Sequence, residues 1–331
     1  MKSLENKELK EIIQSGHINL LIGSGCSCDY LSTLKDIENR MNDPISCEPA
    51  QKDYYKIIIR SLAVLDESLI VDDSDKIELA KTKQNYDAFL SFWANTISSR
   101  SLHIVNKQVN IFTTNIDMFM EDSCERLGIP YNDGFVGQIN RCFNVSNFNR
   151  IQKYKSLQFD NTSYIPLFSI IKLHGSNSWQ TKNNSIVYSN GSHIPKNLEE
   201  KSGTEFEDEY KKIAVINPTA EKHFETVLDI NYASLLRKFT LELEKENSVL
   251  LIVGISLADK HIKNLLYGVM KSNPTLIVIY FSYDTYDNNI DSLEEKLNSN
   301  MYIISSDINF SFYKVTKYLE NIFTNQHENE Q

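Results

Sequence analysis

The segment Val109–Asp117, VNIFTTNID, constrains the fold more than any other stretch of the chain. An apolar run climbs to Thr113 and stops at Thr114, Asn115 and Asp117. Short buried strands are typical of a parallel sheet, which binds ligands beyond the carboxyl ends of its strands. An amide and a carboxylate at that edge point to a site rather than to core.

Similar strands recur along the chain. His17–Ile22 runs into Gly23-Ser24-Gly25-Cys26-Ser27, and Tyr164–Leu173 runs into His174-Gly175-Ser176. Val249–Val253 leads to Gly254-Ile255-Ser256; 213–216, 276–281 and 302–305 also read as strands. Helical periods fill the spaces between them: 3–15, 31–41, 53–72, 86–99, 116–127, 219–247, 259–271, 290–297 and 312–323. This alternation predicts an α/β fold, a Rossmann-like doubly wound parallel sheet, in one domain over 1–331. A helical insertion is expected over 44–105, with Phe89, Phe92, Trp93 and Ile97 as a core-facing stripe. A loop-rich insertion over 131–212 is expected to contain the His174 strand. Within it, Thr181–Gly203 reads as a polar loop and Glu199–Lys212 as a solvated helix face or mobile loop.

Composition narrows the function. Of 331 residues, 41% are hydrophobic, enough for a sizeable core. With 34 basic and 44 acidic residues the net charge is −10, which weighs against sequence-independent nucleic-acid binding. The cysteines at 26, 28, 47, 124 and 142 form no C-x-x-C pair, and histidines 17, 103, 193, 223, 261 and 327 show no metal-ligand spacing. No zinc module and no metal are expected. The odd cysteine count and the charged, polar first ten residues imply reduced thiols and a cytoplasmic protein. The apolar runs are too short to span a bilayer.

The strand ends supply the candidate chemistry. Gly23 and Gly25 fit either a tight structural turn or a cradle for phosphates at a helix N-terminus. They make half of a dinucleotide fingerprint, because Cys28 occupies the third glycine position. His174 reads as a satisfied structural residue or as a general base, since an imidazole ordinarily titrates near neutral pH. Gly254 permits close backbone approach, Ser256 can donate to a ribose or phosphate oxygen, and Asp259 can cap the following helix or order the loop.

GSGCS at 23–27, TTNID at 113–117, KLHG at 172–175 and VGISL at 253–257, in that order, resemble the sirtuin superfamily. The resemblance runs from His17 to about Ser305. It implies a domain that binds NAD and breaks its nicotinamide–ribose bond. By resemblance, Asn115 positions the ribose and the attacking water, Asp117 helps bind the nicotinamide amide, and His174 accepts a proton. Gly23, Ser24, Gly25 and Ser27 would hold the phosphates, Gly254 and Ser256 the adenosine half, with Thr114 alongside the nucleotide.

Three features of the protein-deacylating sirtuins are missing: the paired C-x-x-C module, a Pro-Asp-Phe-Arg run, and a recognisable strand for an acyl-lysine peptide. Cys28-Asp29-Tyr30-Leu31-Ser32 stands where the second would be. Water is therefore the expected acceptor. The Gly-x-Ser-x-x-Asp-x-His-Ile arrangement at 254–262 is similar to a bacterial branch of NAD hydrolases in antiphage defence. That branch implies a homo-oligomer and a HerA-like DNA-translocating ATPase partner, with nucleic acid reached only through the partner and no membrane contact. The alternatives are protein deacylation, ADP-ribosyl transfer, a non-catalytic NAD- or ADP-ribose-sensing subunit, and a nuclease subunit.

Overall fold

The computed structural model describes residues 4–33, 37, 40–41, 43, 46–100, 107–158, 162–183, 185–195, 197–210, 213–215, 230–257, 259–283, 300–305 and 310–324. The expected helix 290–297 and the Asn217-Pro218-Thr219 segment lie outside these residues, as does part of 31–41.

Seven strands form one parallel sheet: β1 (His17–Ile22), β2 (Gln108–Thr113), β3 (Tyr131–Asn132), β8 (Leu167–Lys172), β12 (Ser248–Val253), β13 (Ile277–Phe281) and β14 (Met301–Ile304). Their spatial order is β14-β13-β12-β1-β2-β8-β3, and every pairing is parallel. This is the doubly wound order, which reverses between β1 and β12. The protein therefore has the expected Rossmann-like α/β fold. Folds of this class bind ligands outside the carboxyl ends of the strands at the reversal point, which here are Ile22 and Val253.

The strands are mainly apolar on both faces because helices cover both; Asn19, Asn110 and Ser169 are the buried polar exceptions midway along β1, β2 and β8. Ile18, Leu20, Ile22, Ile111, Ile170 and Leu251 pack on one side with α1 (Asn6–Ser15), α3 (Asp73–Ser98), α4 (Phe119–Leu127) and α8 (Phe312–Thr324). Leu21, Phe112, Ile171, Leu250 and Ile252 pack on the other with α6 (Ile230–Leu243) and α7 (Lys260–Ser272). Adjacent residues of one strand thus enter opposite cores, as the period of two requires. A third cluster joins α2 (Cys47–Leu62) to α5 (Gly203–Tyr210) and to β11 (Ile213–Val215). Among the described residues no helix is long and apolar enough to cross a membrane.

Several element boundaries differ from expectation. The helix expected over 53–72 ends at Leu62, and Asp66 then caps a short 3-10 turn at Glu67–Leu69. The helix expected from Tyr86 begins at Asp73, where Asp72 accepts the Ser74 N–H. Its first half is mostly polar, so apolar periodicity reveals only the second half. The helix expected from Ile116 begins at Phe119. Thr181–Gly203 is not simply a loop. β9 (Gly175–Lys182) and β10 (Ser185–Tyr188) pair in an antiparallel sheet ordered β11-β9-β10-β5-β4, with β4 at Phe135–Val136 and β5 at Cys142–Phe143. Asn183 turns the chain with φ 49, a left-handed conformation that asparagine tolerates. The segment Tyr164–Leu173 divides into the edge of a small exposed hairpin, β6 (Lys153–Lys155) with β7 (Thr162–Tyr164), and the buried strand β8.

Candidate active site

The ends of β1 and β12 are laced together by backbone. The Gly23 N–H donates to the Val253 carbonyl (3.0 Å) and the Gly25 N–H to the Gly254 carbonyl (2.8 Å). A methyl group on Gly23 would stand 2.5 Å from the Gly254 oxygen, and one on Gly254 would stand 2.6 Å from Cys26 Sγ. Gly254 also has φ +67. Neither position accommodates a side chain. The glycine turn is a close-packing device at the switch point, with the Gly23 and Gly25 amides engaged within the fold. Cys26 beside it donates to the Val253 carbonyl, and burial pushes its thiol pKa well up, which disfavours the reactive thiolate.

Beyond the turn lies a buried polar cluster. Thr113 Oγ1 donates to the Ile22 carbonyl and accepts the Asn115 N–H, each at 3.0 Å. The Thr114 N–H donates to the same Ile22 carbonyl. These bonds end the β2 ladder and fix the chain at Asn115. Asn115 Nδ2 donates to the Gly23 carbonyl at 3.1 Å and lies 3.4 Å from Ser27 Oγ. A carbonyl can only accept, so the amide nitrogen must face Gly23 and the oxygen must face away. Asn115 Oδ1 is buried and has no hydrogen-bond partner among the described residues.

Ser27 Oγ donates to Asp117 Oδ2 (3.0 Å) and meets the Tyr86 hydroxyl (2.8 Å). The Tyr86 ring stacks on Phe119 with centroids 5.1 Å apart. Asp117 Oδ1 accepts the Phe119 N–H. Behind the loop, Lys172 at the end of β8 contacts Glu121 Oε1 at 3.1 Å and donates to the Asp117 backbone carbonyl. Burial pushes the Asp117 carboxyl up in pKa, against the pull of Lys172, the Phe119 N–H and the Ser27 hydroxyl. Burial likewise raises Glu121 against the pull of Lys172.

That shift sets a stability prediction. The folded pKa of Asp117 lies above its unfolded value, so the ionised carboxylate opposes folding. The penalty is absent below the unfolded range near 4 and is incurred as pH rises through the folded value. Asp117→Asn keeps an oxygen for the Phe119 N–H and removes the charge. We expect its Tm at pH 7 to exceed wild type by roughly 2–4 °C per kcal/mol relieved, with the gain vanishing below about pH 4. Circular-dichroism melts showing an equal or lower Tm at pH 7 would refute this.

His174 occupies the corner where the chain leaves β8 for β9; Gly175, with φ +77, makes the turn. Its Nε2 lies 3.4 Å from Asp259 Oδ2, and both side chains are largely buried. Gly23, Gly25, Ser27, Thr114, Asn115, Asp117 and Gly254 therefore form one connected cluster, while His174 is held to the loop that follows β12. Ser24 sits in the 3-10 turn Ser24–Cys26 and Ser256 on the loop after Gly254, both half-buried. Neither side chain hydrogen-bonds to the cluster among the described residues.

Three participants escape local sequence reading. Tyr86 looks like one more aromatic of a core stripe, though a buried tyrosine hydroxyl usually needs a partner. Glu121 looks like an exposed helix position. The contact of Asp259 with His174 leaves no local mark. Lys172 carries a usable signal, because a lysine ending an otherwise apolar strand requires a counter-charge. Among the described residues no group of three or more His, Cys, Asp or Glu could hold a metal ion.

A doubly wound sheet with an amide-carboxylate cluster at its switch point defines a nucleotide-fold protein. A family model described as a SIR2-like domain matches residues 109–302, more than half of the chain, and the protein belongs to that family. No curated protein matches the chain. A solved structure, described as the structural basis for the mechanism and regulation of Sir2 enzymes, aligns at 13% identity with a TM-score of 0.42. The alignment covers 98% of this chain and 98% of that one. A likeness at that level bears on neither activity nor substrate.

Proposed function

We propose that the chain is an NAD⁺ glycohydrolase that converts NAD⁺ and water to ADP-ribose, nicotinamide and a proton. The observation that carries this reading is Asn115 Oδ1, a buried acceptor just past the end of β2 that has no hydrogen-bond partner among the described residues. It suits a hydroxyl donor, either a ribose hydroxyl or the attacking water. The membership in the SIR2-like family supports NAD as the substrate.

The chemistry asks little of an acid. The C1′–N bond breaks with its electron pair going to the ring nitrogen, which neutralises the pyridinium, so nicotinamide leaves without a proton donor. The protein must orient the ring and stabilise the oxocarbenium-like ribose. Asn115 Oδ1 aligns the water, whose oxygen bonds to C1′. The released proton passes to His174, directly or through a ribose hydroxyl, and on to solvent. Asp117 lies against the nicotinamide end, and the turns at Gly23, Gly25 and Gly254 border the pyrophosphate, with Ser24, Ser27, Thr114 and Ser256 around it. The same reading extends to NAD depletion in antiphage defence, by a homo-oligomer acting with a HerA-like DNA-translocating ATPase. The segment at 254–262 supports that setting.

The test incubates the purified protein, alone and with its ATPase partner, with NAD⁺ and follows products by chromatography. Equimolar nicotinamide and ADP-ribose are expected. No nicotinamide under either condition sinks the reading, and release only with an acyl-lysine peptide would replace it with deacylation.

A further inference from the structure

Asp259 has two separate engagements. Its Oδ1 accepts the N–H groups of His261 (3.0 Å) and Ile262 (3.3 Å), capping α7. That cap fixes the carboxylate in place, and its other oxygen faces His174 Nε2 at 3.4 Å. The loop reaches this position through two left-handed residues, Gly254 (φ 67) and Leu257 (φ 52). Leu257 is fully buried and anchors the bend. A non-glycine residue in that conformation is uncommon and persists where its surroundings hold it there.

An ionised carboxylate is an acceptor only, so its contact with the imidazole favours a hydrogen on the nitrogen that faces it. In neutral His174 the lone pair is then on Nδ1. A contact of 3.4 Å is longer than a formed hydrogen bond, as catalytic contacts often are before substrate binds. We propose that Asp259 is a positioning residue for His174, holding the Nε2–H tautomer so that Nδ1 receives the proton released by the attacking water. This rests on the hydrolase reading above. The proton moves from water to Nδ1 while the water oxygen bonds to C1′, and His174 returns it to solvent as the next substrate enters.

Because Asp259 also caps α7, the test uses a substitution that preserves the cap. Asp259→Ser retains a good N-cap but cannot reach His174, whereas Asp259→Asn retains both the cap and a polar neighbour. With histidine-selective ¹⁵N labelling and His174→Gln for assignment, the wild type should show His174 as the Nε2–H form. Asp259→Ser should shift it to a mixture and lower kcat about 10-fold or more, with KM for NAD⁺ and Tm near wild type. Asp259→Asn should fall between. Unchanged tautomer populations in Asp259→Ser overturn the proposal, and so does an unchanged kcat. If the wild type releases no nicotinamide, the hydrolase reading is at fault, and the tautomer difference still decides whether Asp259 sets His174.

Discussion

Lys172→Met is expected to destabilise the protein by about 3–5 kcal/mol at pH 7, the usual cost of removing one partner from a buried ion pair. The pair is well enclosed: the Lys172 and Glu121 side chains are 3% and 7% exposed. Among the described residues Glu121 Oε2 has no hydrogen-bond partner, and Lys172 is the cation on its other oxygen. Asp117 shares the same cation, and without it two neighbouring carboxyls face each other in a buried site. The Lys172 bond to the Asp117 backbone carbonyl is lost as well, which frees the loop carrying Asn115. Burial already raises both carboxyls, so the variant's penalty should be full at neutral pH and shrink as pH falls into their range and they take up protons. Lys172→Met with Glu121→Gln should recover much of the loss, because the uncompensated charge goes with the pair. Urea titrations at pH 7 and pH 5 check each part. A Lys172→Met midpoint equal to wild type at pH 7 would show that the pair contributes nothing.

The parts of the molecule that announce themselves in sequence are those built from contiguous residues. Each main strand is a largely apolar run that stops at a polar or glycine residue, broken midway along β1, β2 and β8 only by the buried Asn19, Asn110 and Ser169, so both the doubly wound sheet and the polar edge after Thr113 are legible. What the sequence leaves hidden depends on partners far apart in the chain. Ser27 meets Asp117 across 90 residues and Tyr86 across 59. Nothing local distinguishes Tyr86 from the aromatic stripe around it, because only its buried hydroxyl reaches the polar cluster. Gly23 and Gly25 suit a tight turn and a phosphate cradle equally until the Gly254 carbonyl is seen against them. The first half of α3 shows no apolar period because much of it is exposed, with ion pairs such as Lys76–Asp73 along it. Polarity likewise disguised β10, which buries Ile186 but leaves Ser185 exposed.

Asn115→Ala should lower nicotinamide release by on the order of 10²-fold or more while leaving the fold intact, the scale seen when one preorganised polar group leaves an active site. The residue's structural work is modest: Nδ2 donates to the Gly23 carbonyl, which still accepts the Cys26 N–H in the Ala variant, so the lost bond costs about 0.5–1.5 kcal/mol. Its catalytic work falls to Oδ1, which has no hydrogen-bond partner among the described residues. An acceptor spent on nothing internal is available in full to a group that arrives with the substrate, and its loss is felt when that group must be aligned. Asn115→Asp separates the two roles. It keeps an acceptor oxygen but loses the donor to Gly23 and adds a carboxyl next to the already disfavoured charge of Asp117. It should therefore be less stable than Asn115→Ala at pH 7 and regain stability as pH is lowered. Calorimetry with NAD⁺ should show Asn115→Ala binding within a few-fold of wild type, since the lost interaction acts on the water and developing ribose cation rather than on the bound ground state. Wild-type turnover in Asn115→Ala would remove the amide from the mechanism and with it the assignment of this strand end as the reacting site. A weakened affinity with unchanged kcat would instead make Asn115 a binding group alone.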